Sequence, residues 1–264
     1  MSDTTAVVAG NGPSLAEIPA GVVIKGDMII RTNSFFLEST YHLGDQVDLA
    51  YVAGDPRVAP FVLATMQKVA DHYSIAAWSA QNPSVIKAGS KHVTRPFEPF
   101  ATANPEASRT LKSLSERYQA QPTAGVTAMF QAQARGARTL ILAGIDLYAT
   151  SQRYVYEPGK HMRDLLGPNL GARAYDTRLH NESLDRALID WMANQDGMTV
   201  LKASAASPLD GIDVAPVRSG EPVLPKPKAV SDEWVSWAGW YPIWWLKAMR
   251  KAAAWSRASG LRPS

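Results

Sequence analysis

Short apolar runs, each ending in a polar or glycine-rich turn, recur from Val7 to Leu201. Val7-Val8-Ala9 runs into Gly10-Asn11-Gly12-Pro13-Ser14-Leu15, which reads as a buried strand, a tight turn and a short helix with Pro13 in its first turn. Met28 to Thr32 predicts a second strand with Asn33 at its carboxyl end. Residues 48–56 predict a third, closing in Gly54-Asp55-Pro56. Shorter strands are expected at 74–78 and 92–95, a buried one at 139–144 running into Ile145-Asp146-Leu147-Tyr148, and a last one at 198–201.

Helical spacing lies between them. Residues 60–73 place Phe61, Leu63, Ala64, Met66 and Val69 at helical intervals, and residues 108–119 form a second candidate helix. A third runs over 123–136, with Thr123 in the N-cap position and Gly136 as the stop. In the fourth, 181–194, Leu184, Leu188, Ile189 and Met192 share one face. Strands alternating with helices predict an α/β domain with a mostly parallel sheet covered on both faces.

The pattern breaks twice. From Ala149 to His180 apolar periodicity disappears, and Arg, Tyr, Gly, Pro and Asp alternate, which predicts an irregular lid over the strand ends. After Ser207 the chain becomes rich in Pro and Gly and then enters a stretch holding six of the eight tryptophans, with Lys247, Arg250, Lys251 and Arg257 among alanines. Tryptophan favours the membrane interface and Lys and Arg favour anionic headgroups, so this tail is expected to lie on a membrane surface. Pro242 interrupts it and it is too short to span a bilayer. The competing reading is that it packs on the body or on a second subunit. The expected organisation is a nucleotide-binding domain formed by 1–146 and 181–207, a lid at 147–180, a linker at 208–230 and a membrane-associating tail at 231–264.

Composition narrows the chemistry. The chain of 264 residues has no cysteine, which excludes disulfides, thiolate metal sites and Cys nucleophiles and fits a reducing cytoplasm. No signal peptide is expected, because Met1-Ser2-Asp3-Thr4-Thr5 lacks a basic start and a long apolar run. A net charge of +3 does not suggest a nucleic-acid binder. The five histidines are scattered without metal-ligand spacing, and no Asp-x-Asp metal motif is evident.

A strand, a glycine turn and a helix start make a cradle for phosphate, since glycine admits close backbone approach and helix-start N–H groups attract negative charge. The turn is not the dinucleotide fingerprint, because Leu15 stands where the third glycine belongs. Asn33, Asp55 and Asp146 to Tyr148 also lie at strand ends, where open α/β sheets place ligand groups. Each has a plainer reading: an ordinary βα turn, a turn asparagine, a capping aspartate, packing tyrosines.

The order and wording of these clusters resemble the bacterial sialyltransferases of glycosyltransferase family 42, which decorate lipooligosaccharide from cytidine monophosphate (CMP) sialic acid. The resemblance rests on 9–15, on Arg31-Thr32-Asn33-Ser34-Phe35-Phe36 with Tyr41-His42-Leu43-Gly44, on Thr123-Ala124-Gly125-Val126, and on Gly144-Ile145-Asp146-Leu147-Tyr148 with Tyr154 and the later His180. It covers most of 6–205 and implies a GT-A-like variant of the Rossmann-like fold. It implies that Gly10, Asn11, Gly12, Ser14, Asn33, Asp55, Thr123, Ala124, Gly125, Gly144, Asp146 and Leu147 bind the donor nucleotide and sugar, with Asp146 beside cytidine. It further implies that Tyr148 and Tyr154 hydrogen-bond the departing phosphate and that His180 is the base.

The resemblance also implies a glycan or glycolipid acceptor and a tetrameric assembly. Two phenol donors at the phosphate let the transfer run without metal or cofactor, direct displacement inverts the anomeric centre, and the tail is expected to hold the enzyme at the inner face of the cytoplasmic membrane. The chain departs from the pattern in four places. Ala124 replaces a serine, Asp55-Pro56 stands for Asn-Pro, Gln121 replaces an arginine near the acceptor, and Tyr175 is the nearest match to a lid tyrosine at altered spacing. Three other readings stay open: transfer of a different CMP-activated ulosonic acid, a non-catalytic nucleotide-binding protein, and a magnesium-dependent pyrophosphokinase-like enzyme sharing the glycine turn.

Overall fold

The structure is a computed structural model that describes residues 4–53, 59–69, 72–149, 152–158 and 180–228, with scattered positions between 244 and 255. Among the described residues a six-stranded sheet forms the centre. Its strands are β1 (Thr4–Ala9), β2 (Met28–Thr32), β5 (Leu49–Tyr51), β7 (Trp78–Ser79), β8 (Ala137–Ala143) and β9 (Thr199–Lys202). The order is β7-β5-β2-β1-β8-β9, and every neighbouring pair is parallel. The chain therefore steps outward from β1 through β2 and β5, then returns to place β8 on the other side of β1. The carboxyl ends of β1 and β8 flank the point where the winding direction reverses, the place where such sheets open a ligand crevice.

Side-chain alternation along β1 explains its central place. Ala6 and Val8 join the core under the helices, while Val7 and Ala9 join a second core on the opposite face. The helical face is closed by α3 (Pro105–Tyr118), α4 (Ala124–Ala134) and α5 (Glu182–Ala193), α3 packing against α5. Helix α4 is buried from Gly125 to Gln133, and its first turn is aimed at the crevice. The expected apolar face of α5 is buried, and Trp191 stacks on Phe130 with ring centroids 5.7 Å apart. Helices α1 (Ala59–Lys68) and α2 (Pro83–His92) share a third core with Phe35, Phe36 and Trp78 at the β5–β7 side.

Three features differ from the sequence expectation. The strand expected at 74–78 divides: β6 (Ser74–Ile75) pairs with β4 (Gln46–Val47) apart from the main sheet, while Trp78 begins β7. The strand expected at 92–95 is absent, because His92 ends α2, whose start is capped by Asn82 accepting from the Ser84 N–H at 2.9 Å. Finally, 208–228, expected as a linker, is a strap packed on the body. Leu209, Ile212 and Ala215 are buried, Arg218 bonds Asp27 and the Val22 carbonyl, and β10 (Lys226–Pro227) pairs with β3 (Thr40–Tyr41). The strap and a 3₁₀ turn at Pro13–Glu17 supply the cover that helices supply on the other face.

The strap ends in a buried ionic cluster. Arg31 and Glu38, both 0% exposed, form a two-pronged ion pair at 3.2 and 2.8 Å. Tyr73 donates to Glu38 at 3.0 Å, and the Lys228 ammonium donates to the Tyr73 oxygen and the Phe36 carbonyl, each at 2.8 Å. The tail at 231–264 lies almost wholly outside the described residues; of its positions, Trp244, Trp245 and Trp255 are exposed.

Candidate active site

A cavity of about 240 Å³ opens at the carboxyl ends of β1 and β8. The two turns that follow these strands lock together. The Gly10 N–H donates to the Ala143 carbonyl at 2.9 Å and the Gly12 N–H to the Gly144 carbonyl at 2.8 Å. Gly144 has φ +56°, and a Cβ on Gly10 would lie 2.3 Å from the Gly144 oxygen. A Cβ on Gly12 would lie 2.4 Å from the Asp146 carboxylate. The glycines thus admit the neighbouring turn, a tighter demand than the ligand approach inferred from the sequence. Gly10→Ala is expected to cost about 1–3 kcal/mol, as overpacking does, measurable as a lower urea midpoint at unchanged slope.

Asp146 clasps the start of the 3₁₀ turn. It accepts from the Ser14 N–H at 2.8 Å and makes a short bond with the Ser14 hydroxyl. Burial raises its pKa above the usual carboxylate value, and the two bonds from Ser14 oppose that rise. Asp146 therefore serves the start of a distant turn, whose own N-cap position is Gly12, and also lines the cavity. Ser14 itself does not line it; its role is to hold Asp146.

The asparagines are held by one end and offer the other. Asn11 donates from Nδ2 to the Thr32 carbonyl at 2.9 Å, while its buried Oδ1 has no hydrogen-bond partner. That bond fixes the amide orientation and leaves an acceptor at the cavity. Asn33 adopts φ +50°, and its Oδ1 accepts from the Ala53 N–H at 2.8 Å, so its amide NH2 remains the group to meet a ligand. Thr123, Ala124 and Gly125 line the opposite wall at the start of α4, where the first N–H groups have no partner inside the helix. Thr123 makes no side-chain cap; its N–H instead donates to the buried Asp185 at 2.9 Å.

The third wall comes from the segment expected to be a lid. Leu147 and Tyr148 are both left-handed, with φ +49° and +54°, which swings the chain out of the strand direction. The segment 152–158 is tied back by a 2.8 Å bond from the Val155 N–H to the Asn11 carbonyl. Tyr154 and Tyr156 stack in parallel with centroids 5.1 Å apart. Burial pushes the Tyr154 phenol up to about 12, so it stays an O–H donor at neutral pH. Arg153 lies over the rings of Tyr148 and Tyr154, at 4.5 and 5.5 Å from their centroids.

His180 completes the rim. It sits just before Asn181, the N-cap of α5, and its Nδ1–H donates to the Gln121 carbonyl at 2.8 Å. That bond selects the tautomer in which Nε2 is the proton acceptor.

The cavity brings together Gly10, Asn11, Gly12, Asn33, Thr123, Ala124, Gly125, Gly144, Asp146, Leu147, Tyr148, Tyr154 and His180. Gln121 does not line it and acts through its carbonyl on His180. Asp55 and Tyr175 lie outside the described residues. Arg153, Tyr156, Thr32 and Ser34 are lining residues that the sequence reading missed. An arginine directly before Tyr154 was the available signal for one of them. Among the described residues no group of three or more His, Cys, Asp or Glu converges.

No family model matches the chain, and no curated protein matches it. Solved structures do. The alpha-2,3-sialyltransferase Cst-I from Campylobacter jejuni superposes with a TM-score of 0.78 at 17% identity, covering 96% of this chain and 95% of that one. CstII from the same organism, in complex with the substrate analogue CMP-3FNeuAc, gives 0.72 at 20% identity over 85% of this chain and 91% of that one. CstII with a trisaccharide acceptor and CMP gives 0.70 at 20% identity over 86% and 91%. What is shared at these identities is the fold.

Proposed function

We propose that the protein is a sialyltransferase of glycosyltransferase family 42, moving sialic acid from CMP-sialic acid to a glycan hydroxyl with inversion and without a metal. One observation carries the reading: two tyrosines and a histidine face a single cavity at the switch point of the sheet, beside an asparagine with an unused buried acceptor. The fold likeness supports it, since the matched proteins are sialyltransferases, and CstII was crystallised with the substrate analogue CMP-3FNeuAc and with a trisaccharide acceptor and CMP.

The residues suit each part of the chemistry. Asn11, Asn33 and the start of α4 hold the nucleotide. The Tyr148 and Tyr154 phenols donate to the phosphate as charge builds on it, the stabilisation that preorganised donors provide. The sugar carbon gains oxocarbenium character, and His180 Nε2 takes the proton from the attacking hydroxyl. Attack on the face opposite the nucleotide inverts the anomeric centre.

The acceptor is proposed to be a lipid-linked saccharide, reached with the enzyme at the inner face of the cytoplasmic membrane. The tryptophan-rich basic tail supports surface attachment, and Trp244, Trp245 and Trp255 are exposed. No helix among the described residues is long and apolar enough to cross a membrane. A tetramer is part of the same proposal, on the resemblance alone.

The test is release of CMP from CMP-sialic acid in the presence of a chelator, with a panel of oligosaccharide acceptors. Acceptor-dependent release and a sialylated product are expected. Activity with another CMP-activated ulosonic acid alone would replace the donor assignment, and tight CMP binding without transfer would overturn the enzyme reading.

A further inference from the structure

We infer that Arg153 is the fixed cation of the site, a binding group for the phosphate of the cytidine nucleotide. The inference rests on the transferase reading and adds to it a residue that phenol-and-imidazole chemistry does not require.

Arg153 lines the cavity, and its guanidinium lies over the faces of Tyr148 and Tyr154. Ring contacts of this kind occupy the flat faces of the group; one N–H of its edge is engaged by the Tyr148 hydroxyl, and the rest of the edge lies in plane. The Val155 N–H bond to Asn11 anchors the same short segment to the glycine turn, so the cation is held at the cavity and does not sweep through solvent. Its Nε is buried with no hydrogen-bond partner. A buried donor left unpaired costs stability, so an arriving acceptor relieves a cost the folded chain already bears. The cavity wall supplies no acid for it: Asp146 is the one carboxylate among the described lining residues, and it is committed to Ser14. A planar fork of N–H donors flanked by two phenols matches the oxygens of a phosphate.

Charge flow gives the group its use. In the transfer, the bond between the anomeric carbon and the phosphate oxygen breaks, and its electron pair stays on that oxygen. The acceptor oxygen bonds to the carbon, and its proton passes to His180 Nε2. The nucleotide leaves with one more negative charge than it carried as a diester. The phenols donate hydrogen bonds to that charge, whereas Arg153 neutralises it.

The test compares CMP with cytidine by calorimetry on the wild type, Arg153→Met and Arg153→Lys. CMP carries the phosphate but not the sugar's carboxylate, so the probe isolates one anion. Arg153→Met is expected to lose about ten- to a hundredfold in CMP affinity, the scale of a charged hydrogen bond, with cytidine affinity unchanged. Arg153→Lys is expected to fall between, keeping the charge but not the fork. Unchanged CMP affinity in Arg153→Met overturns the inference, as does an equal loss for CMP and cytidine, which marks a merely structural role. Wild-type protein that ignores CMP overturns the transferase reading and takes this inference with it.

Discussion

Replacing His180 with alanine should lower kcat by about a hundredfold or more, the scale lost with a general base. The expectation rests on geometry. The 2.8 Å bond from Nδ1–H to the Gln121 carbonyl holds the ring at the rim and presents Nε2 as an acceptor. The nucleotide end of the cavity is built from other residues, so the donor KM should change little. The fold should tolerate the change, because the start of α5 is capped by Asn181, which accepts from the Ser183 and Leu184 N–H groups. Turnover at the wild-type rate in a folded His180→Ala protein would remove the base assignment. A rise in KM with kcat intact would make His180 a binding residue.

The largest stability effect should come from Glu38→Gln. Arg31 is fully buried, and Glu38 is its two-pronged partner; the Arg31 Nε is itself buried without a bond. Removing the carboxylate charge leaves a buried guanidinium uncompensated, which costs about 3–5 kcal/mol. It also weakens the acceptor for Tyr73, which in turn receives the Lys228 ammonium that ends the strap. Urea unfolding followed by tryptophan fluorescence measures the loss. A change below about 1 kcal/mol, the scale of an exposed pair, would mean that the cluster is solvated and does not hold the strap.

Much of this architecture was legible because its signals are local. Val7-Val8-Ala9 before a glycine turn specifies a buried strand by itself, and Leu184, Leu188, Ile189 and Met192 specify a helix face by spacing alone. The candidate site was legible for a related reason. Asn11, Asn33, Asp146 and Tyr148 all follow apolar runs, and a parallel sheet brings such positions to one edge. What escaped depends on distant partners. Helix α2 carries few apolar residues, and its start is set by the Asn82 cap. The strap has a linker's composition, yet Arg218 and Lys228 find Asp27 and Tyr73 far back in the chain. Gly10 and Gly144 fit each other, which neither local sequence discloses. Arg153 reads as one more polar residue of an irregular stretch until the Val155–Asn11 bond places it at the cavity.

The most direct test is a crystal structure of the protein with an unreactive CMP-sialic acid analogue. The account predicts cytidine at the turn formed by Gly10, Asn11 and Gly12, the phosphate against the Tyr148 and Tyr154 hydroxyls, and the anomeric carbon on the side facing His180 Nε2. A nucleotide bound elsewhere, or one whose phosphate turns away from both tyrosines, would contradict it.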